Sequence, residues 1–142
     1  MLFRSSNDSN ICDIVNYVLQ KARGNLPTAS DYHERTLRLI VDYLLDRYRL
    51  DFVNLAGKIK IRELETICES LVACADGLFI DGRCNWGRIV TLYAYSAFLA
   101  NYCASNHVSQ ELIRKIGETV GIYVSVYLST WICGQGGWVS NL

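Results

Sequence analysis

Arg88 is the side chain in this sequence with the most clearly defined chemical task. It follows Asn85 by three residues and comes just before residues 89–103, which carry no charge. Asn85 is a good N-cap, because its side-chain oxygen can accept a hydrogen bond from a free backbone N–H of the next helix. A cation in the first turn opposes the helix dipole, so we expect Arg88 to bind an anion. A solvated surface charge and an internal ion pair are the other interpretations.

Other kinds of chemistry find no support in the sequence. There is no Ser/His/Asp set, no close carboxylate pair and no phosphate-binding loop, so we expect neither catalysis nor a cofactor. His33 and His107 are far apart and no cysteine pair has two-residue spacing, which argues against a metal site. Fourteen basic residues balance fourteen acidic ones, so nothing favours nucleic acid as a partner.

The six cysteines are expected to be free thiols. The sequence begins with Met-Leu-Phe-Arg and then turns polar, which is not a signal peptide and predicts a reducing compartment. Residues 89–103 are uncharged but too short to span a bilayer comfortably. Residues 119–142 are also uncharged, but they contain Gly-Gln-Gly-Gly and several hydroxyl groups. We therefore expect both stretches to pack in the core, and no integral membrane anchor in this chain.

Apolar residues recur at helical spacing along nearly the whole chain. Amphipathic stripes run over residues 11–22, 37–48, 61–75 and 113–128, and residues 131–138 form a short final element. Asp31 and Glu34 resemble a capping box, and Ser109 is a plausible cap. Glycines indicate a loop over 24–30 and a turn over 77–82.

The stretch over residues 85–103 is apolar on most helical faces and needs other helices around it. The sequence therefore predicts an all-α fold, in one domain over residues 1–142. A central hydrophobic helix at about 85–103 is wrapped by amphipathic helices.

Three segments resemble motifs of the Bcl-2 family. Residues 78–90 contain Asn-Trp-Gly-Arg and are similar to the family's first homology region. Residues 131–138, with Trp-Ile and Gly-Gly-Trp, resemble the second. Residues 37–42 fit the Leu…Asp frame of the family's own BH3 region, with Val41 where a small residue is usual. The resemblance implies a Bcl-2-like helical bundle.

The resemblance also implies a function. It indicates an apoptosis inhibitor that sequesters pro-apoptotic partners by holding their BH3 helix in a hydrophobic surface groove. Arg88 would pair with the Asp of the ligand helix, since its planar fork suits a carboxylate. The short loop and short chain look most like the viral homologues of large DNA viruses. This implies the cytoplasm of a host cell, with recruitment to the mitochondrial surface through partners. The alternatives are a pro-apoptotic, pore-forming family member and a homodimer with an occluded groove.

The motif match also carries over a set of groove residues. Without the resemblance, Leu44, Phe52 and Leu78 would be interpreted as core residues. The predicted BH3-binding residues are Leu44, Arg47, Tyr48, Phe52, Leu55, Cys74, Leu78, Asn85, Gly87, Arg88, Val90, Thr91 and Tyr95.

Overall fold

The computed structural model describes residues 6–25, 29 and 32–137 of the chain. Most of these residues lie in α-helices. No strand occurs among these residues, and the all-α prediction is confirmed. The helices are α1 (Ser6–Ala22), α2 (Tyr32–Arg47), α3 (Arg49–Gly57), α4 (Leu64–Leu78), α5 (Trp86–Ser105), α6 (Gln110–Tyr123) and α7 (Ser129–Gly134).

Helix α5 lies at the centre of the bundle. Helices α1, α2, α3, α4 and α6 all contact it. Large side chains along it, including Tyr93, Tyr95 and Leu99, are fully buried. An uncharged helix of this kind loses little by complete burial, because it carries no side-chain charge to desolvate. The predicted central hydrophobic helix at 85–103 is confirmed.

Helix α2 packs its Leu…Asp segment inward. Leu37 and Val41 are buried, and Asp42 accepts a hydrogen bond from the Tyr17 hydroxyl at 2.8 Å. The Lys21 ammonium group donates a second hydrogen bond to Asp42 at 3.1 Å. The segment that resembles a BH3 region is therefore held against α1 in this conformation.

The C-terminal helices differ from the prediction. Residues 110–134 form one continuous helical run, in which a π-helical turn, Val124–Leu128, joins α6 to α7. Among the described residues, this is the one run long and apolar enough to cross a membrane, and 39% of its most apolar stretch is buried. Ile122, Val126 and Tyr127 on this run are exposed.

Two smaller differences concern the connections. Gly77 lies in the last turn of α4, which continues to Leu78, so the predicted turn starts later than residue 77. The chain also breaks its helix at Tyr48, so α2 and α3 are separate elements. The predicted cap residue Asp31, residues 26–28 and 30 of the predicted loop over 24–30, and the last predicted motif residue, Trp138, lie outside the described residues.

Two tryptophans join the first and second motif segments. The ring of Trp86, at the start of α5, meets the ring of Trp131 on α7 edge-on, with centroids 5.1 Å apart. Both rings are half-buried and pack against the core. This contact holds the short α7 against the end of α5 that carries Arg88.

Candidate functional site

A groove of about 600 Å³ opens between α2, α3, α4 and the first turns of α5. Its floor is apolar, since Leu44 and Phe52 are buried and Tyr48, Leu55 and Leu78 are half-buried around them. The residues that line it are Leu44, Tyr48, Phe52, Leu55, Ala73, Cys74, Gly77, Leu78, Asn85, Gly87, Arg88 and Thr91.

Aromatic rings on α5 support the floor of this groove. The ring of Phe52 packs against Tyr95 and Phe98, with centroids 5.2 and 5.8 Å apart. The Tyr95 hydroxyl shares a buried hydrogen bond of 2.7 Å with the Ser70 hydroxyl. Burial raises the pKa of Tyr95, so this hydroxyl stays protonated. The floor is thus fixed from below by packing and by one satisfied polar contact.

The polar end of the groove is the first turn of α5. The Asn85 side chain accepts a hydrogen bond from the Arg88 backbone N–H at 2.9 Å, which caps the helix as predicted. The Thr91 hydroxyl donates to the Gly87 carbonyl at 2.7 Å. A Cβ added at Gly87 would lie 3.3 Å from the Asn85 side-chain oxygen, which is a tight contact. The absence of a side chain at Gly87 therefore keeps both the cap and this end of the groove clear.

Arg88 already has an anionic partner in the chain. Its Nη1 and Nη2 donate to the two carboxylate oxygens of Asp81, at 2.5 and 2.9 Å. Nη1 also donates to the Arg83 carbonyl at 2.9 Å. The Arg88 hydrogen bond and the Arg83 backbone N–H lower the pKa of Asp81 to about 2, so Asp81 is ionised at neutral pH. The same hydrogen bond raises the pKa of Arg88. The internal ion pair that the sequence left open as an alternative for Arg88 is therefore present, with Asp81 as the partner.

The sequence matches the Bcl-2 family of apoptosis regulator proteins over residues 37–138. The chain belongs to the Bcl-2 family. It is 30% identical over 117 residues to apoptosis regulator Bcl-2 of Gallus gallus, covering 82% of this chain and 48% of that protein. It is 31% identical over 117 residues to Bcl-2-like protein 1 of Rattus norvegicus, with the same coverage of each protein. The chain spans about half the length of the curated Bcl-2 relatives it matches.

Solved structures of the Bcl-2 fold superpose on nearly the whole chain. A zebrafish pro-survival protein, NRZ, in complex with the Bad BH3, matches with a TM-score of 0.78 at 22% identity. The match covers 93% of this chain and 86% of NRZ. Chicken BOK matches with a TM-score of 0.75 at 24% identity, covering 93% of this chain and 89% of BOK. Both matches support the Bcl-2 fold of the bundle.

Most residues predicted from the Bcl-2 motifs meet in this one groove, but three do not line it. Arg47 is exposed, with its guanidinium 5.8 Å from the centre of the Tyr48 ring. Val90 is buried in the core, because it is turned by about 100° from Thr91 around α5. Tyr95 is also fully buried, one turn farther along α5, where it supports Phe52.

Two groove residues were missed by the comparison with Bcl-2 motifs. Ala73 and Gly77 lie one helical turn apart on α4, are exposed, and line the groove beside Cys74 and Leu78. A Cβ added at Gly77 would meet no atom within 4 Å, so this position opens on free space. The signal available in the sequence was their spacing, because two small residues at i and i+4 lie on the same face of a helix and leave a low surface there.

A second cavity, of about 610 Å³, lies between α1 and α6 of this Bcl-2 family member. Cys12 and Leu19 line it from α1, and Ile113 and Arg114 from α6. None of the predicted groove residues borders this cavity. We therefore place the candidate site at the groove that contains Arg88.

Proposed function

We propose that this chain inhibits apoptosis by binding the BH3 helices of pro-apoptotic proteins in the groove and so sequestering them. The observation that carries the proposal is that the apolar groove has a cation at one end. Leu44 and Phe52 provide the apolar floor, and Arg88 lies where the groove meets the first turn of α5. An amphipathic helix with apolar anchors and a carboxylate complements both features.

The fold comparison supports a helical ligand. The zebrafish pro-survival protein that shares this fold was solved with the Bad BH3. The groove volume of about 600 Å³ also lies in the ordinary range of roughly 300–1,000 Å³ for ligand pockets. We extend the proposal to the cytoplasm of a host cell, with recruitment to mitochondria through bound partners. The proposed viral source rests on the short connection between α1 and α2.

A pro-apoptotic, pore-forming role is the second candidate, because chicken BOK shares the fold nearly as closely as the pro-survival protein. That role would require the chain to present its own BH3-like segment. Here Val41 is buried, and Asp42 bonds to Tyr17 and Lys21 of α1. Because these contacts would have to open first, the buried segment favours the inhibitor.

Calorimetric titration with a panel of BH3 peptides tests the proposal. We expect at least one peptide to bind with one-to-one stoichiometry. We also expect the protein to protect liposomes against permeabilisation by a pro-apoptotic family member. No binding across the panel would contradict the proposal, and permeabilisation of liposomes by this chain alone would favour the second candidate.

Replacing Arg88 tests whether the groove is the binding site. Arg88→Ala should weaken BH3 peptide binding by roughly tenfold or more, because the ligand carboxylate is left without its partner. Exchanging the peptide Asp for Ala should cost a similar factor. The two changes together should cost less than the product of the two factors.

Arg47→Ala is the matched control, since Arg47 carries the same charge near Tyr48 but does not line the groove. We expect it to change the affinity by no more than a few-fold. Independent losses from Arg88→Ala and the peptide change would show that the two groups do not meet.

A further inference from the structure

The hydrogen bonds of Arg88 divide its guanidinium into an occupied edge and an open edge. Nη1 and Nη2 each donate a hydrogen bond to the Asp81 carboxylate, and the second hydrogen of Nη1 is donated to the Arg83 carbonyl. A guanidinium has five N–H groups in a planar fork. Nε–H and the second N–H of Nη2 thus remain, side by side on the other edge. Neither donates to any acceptor among residues 6–25, 29 and 32–137.

Asp81 holds Arg88 from outside the groove. Arg88 lines the groove, whereas Asp81 does not. Asp81 is itself fixed by the turn before α5, because its Oδ1 accepts the Arg83 backbone N–H at 3.0 Å. Gly82, between them, has a φ of 73°, which favours glycine. A tight turn thus fixes the carboxylate that orients the cation.

We infer that Asp81 is a positioning residue, which orders Arg88 so that its open edge can take the carboxylate of a partner helix. This deepens the proposed function and rests on it. An arginine free in solution loses rotamer freedom when it binds a ligand. Here the Asp81 contact has already restricted the side chain, so less freedom is lost on binding.

The alternative to positioning is competition between Asp81 and the ligand carboxylate for Arg88. If the ligand carboxylate had to displace Asp81, removing Asp81 would tighten binding. The open edge favours simultaneous binding of Asp81 and the ligand carboxylate, because a planar guanidinium can bond two carboxylates at once, one on each edge. The sign of the change in affinity therefore separates positioning from competition.

The test is Asp81→Asn, measured by calorimetry with a BH3 peptide and with the same peptide carrying Ala for its Asp. Asn keeps a side-chain oxygen that can accept from the Arg83 N–H, but it loses the charge and the bidentate hydrogen bonding to Arg88. We expect affinity for the first peptide to fall by about two- to tenfold and affinity for the second to stay unchanged. Asp76→Asn, which removes the same charge from α4 outside the groove, should leave both affinities unchanged.

Tighter binding by Asp81→Asn would overturn the inference, as would equal losses for the two peptides. A second measurement needs no ligand. The ¹⁵Nε relaxation of Arg88 should show an ordered side chain in the unaltered protein and a more mobile one in Asp81→Asn. Equal order in both proteins would also overturn the inference. If the unaltered protein binds no BH3 peptide, the proposed function fails, and the relaxation comparison still decides whether Asp81 positions Arg88.

Discussion

Asn85 uses its side chain to begin α5, and this ties the helix start to the groove. Its side-chain oxygen caps the backbone N–H of Arg88, the residue whose guanidinium forms the polar end of the groove. The sequence predicted this cap correctly, because Asn followed by a long apolar stretch is a local signal. It also predicted an anion for Arg88. The sequence could not show that Asp81, seven residues earlier, supplies one, since the turn that brings them together is set by backbone geometry.

Loss of the Asn85 cap should affect both stability and binding. Asn85→Ala should lower the free energy of unfolding by about 0.5–2 kcal/mol, because an N–H of the first turn loses its acceptor. It should also weaken BH3 peptide binding, since it loosens the turn that carries Arg88. Chemical denaturation and calorimetry measure the two effects.

Ser109→Ala is the matched control for the cap. Ser109 caps α6 by accepting the Leu112 N–H at 3.3 Å, and it does not line the groove. A similar loss of stability with unchanged peptide affinity is expected. If both variants weakened binding equally, the effect would come from stability alone.

Helix α4 supplies the low wall of the groove, and of its groove residues the Bcl-2 motifs selected Cys74 and Leu78 but not Ala73 or Gly77. Ala73 and Gly77 have no distinctive chemistry beyond their i, i+4 spacing, and their place in the groove lining reveals their role. Helix α5 posed the converse problem. Its apolar residues occur on nearly all faces, so periodicity could not tell Thr91, which faces the groove, from Val90, which faces the core.

A larger side chain at Gly77 should close the groove without harming the fold. Gly77→Leu should stabilise α4 slightly, by about 0.5–1 kcal/mol, because glycine is a poor helix residue. The new side chain would project into free space at the groove, so we expect peptide affinity to fall by at least tenfold. Thermal denaturation and calorimetry would show the two changes moving in opposite directions.

Gly57→Leu provides the comparison. Gly57 is the last residue of α3, also opens on free space and lies outside the groove. It should leave peptide affinity within a few-fold of the unaltered protein. Unchanged binding by Gly77→Leu would show that the ligand does not lie along α4.

The fold of the whole molecule was the most predictable feature, because each amphipathic stripe signals a helix that needs a partner. The π-helical turn was not predicted, since Val124–Leu128 has the same apolar spacing as an ordinary helix. A π-helical turn is a local change within a helix that apolar spacing does not signal.

The cysteines sample very different environments across the molecule. Cys133 is exposed, Cys74 is half-buried in the groove wall and Cys103 is fully buried. Burial raises the pKa of Cys74 and that of Cys103 to about 11. At about pH 8 only about one in a thousand such thiols is the reactive thiolate.

Thiol reactivity should therefore follow burial. In the native protein at about pH 8, we expect a disulfide reagent to modify Cys133 first and Cys74 and Cys103 slowly. Denatured, unreduced protein should titrate with six thiols. A BH3 peptide should slow the reaction of Cys74 further and leave Cys133 unchanged. Fewer than six thiols in the denatured protein would contradict the reducing compartment.

The edge-on contact between Trp86 and Trp131 gives the protein a fluorescent reporter near the polar end of the groove. Indole rings with centroids 5.1 Å apart exchange excitation energy, so their fluorescence depends on the spacing between α5 and α7. Trp86 begins the helix whose first turn carries Arg88, so a shift of this turn on ligand binding changes the spacing between the two rings. Intrinsic emission can therefore follow ligand arrival, and separation of α7 from α5, without an attached dye. Trp138→Phe would remove the third indole and leave the signal of this pair alone.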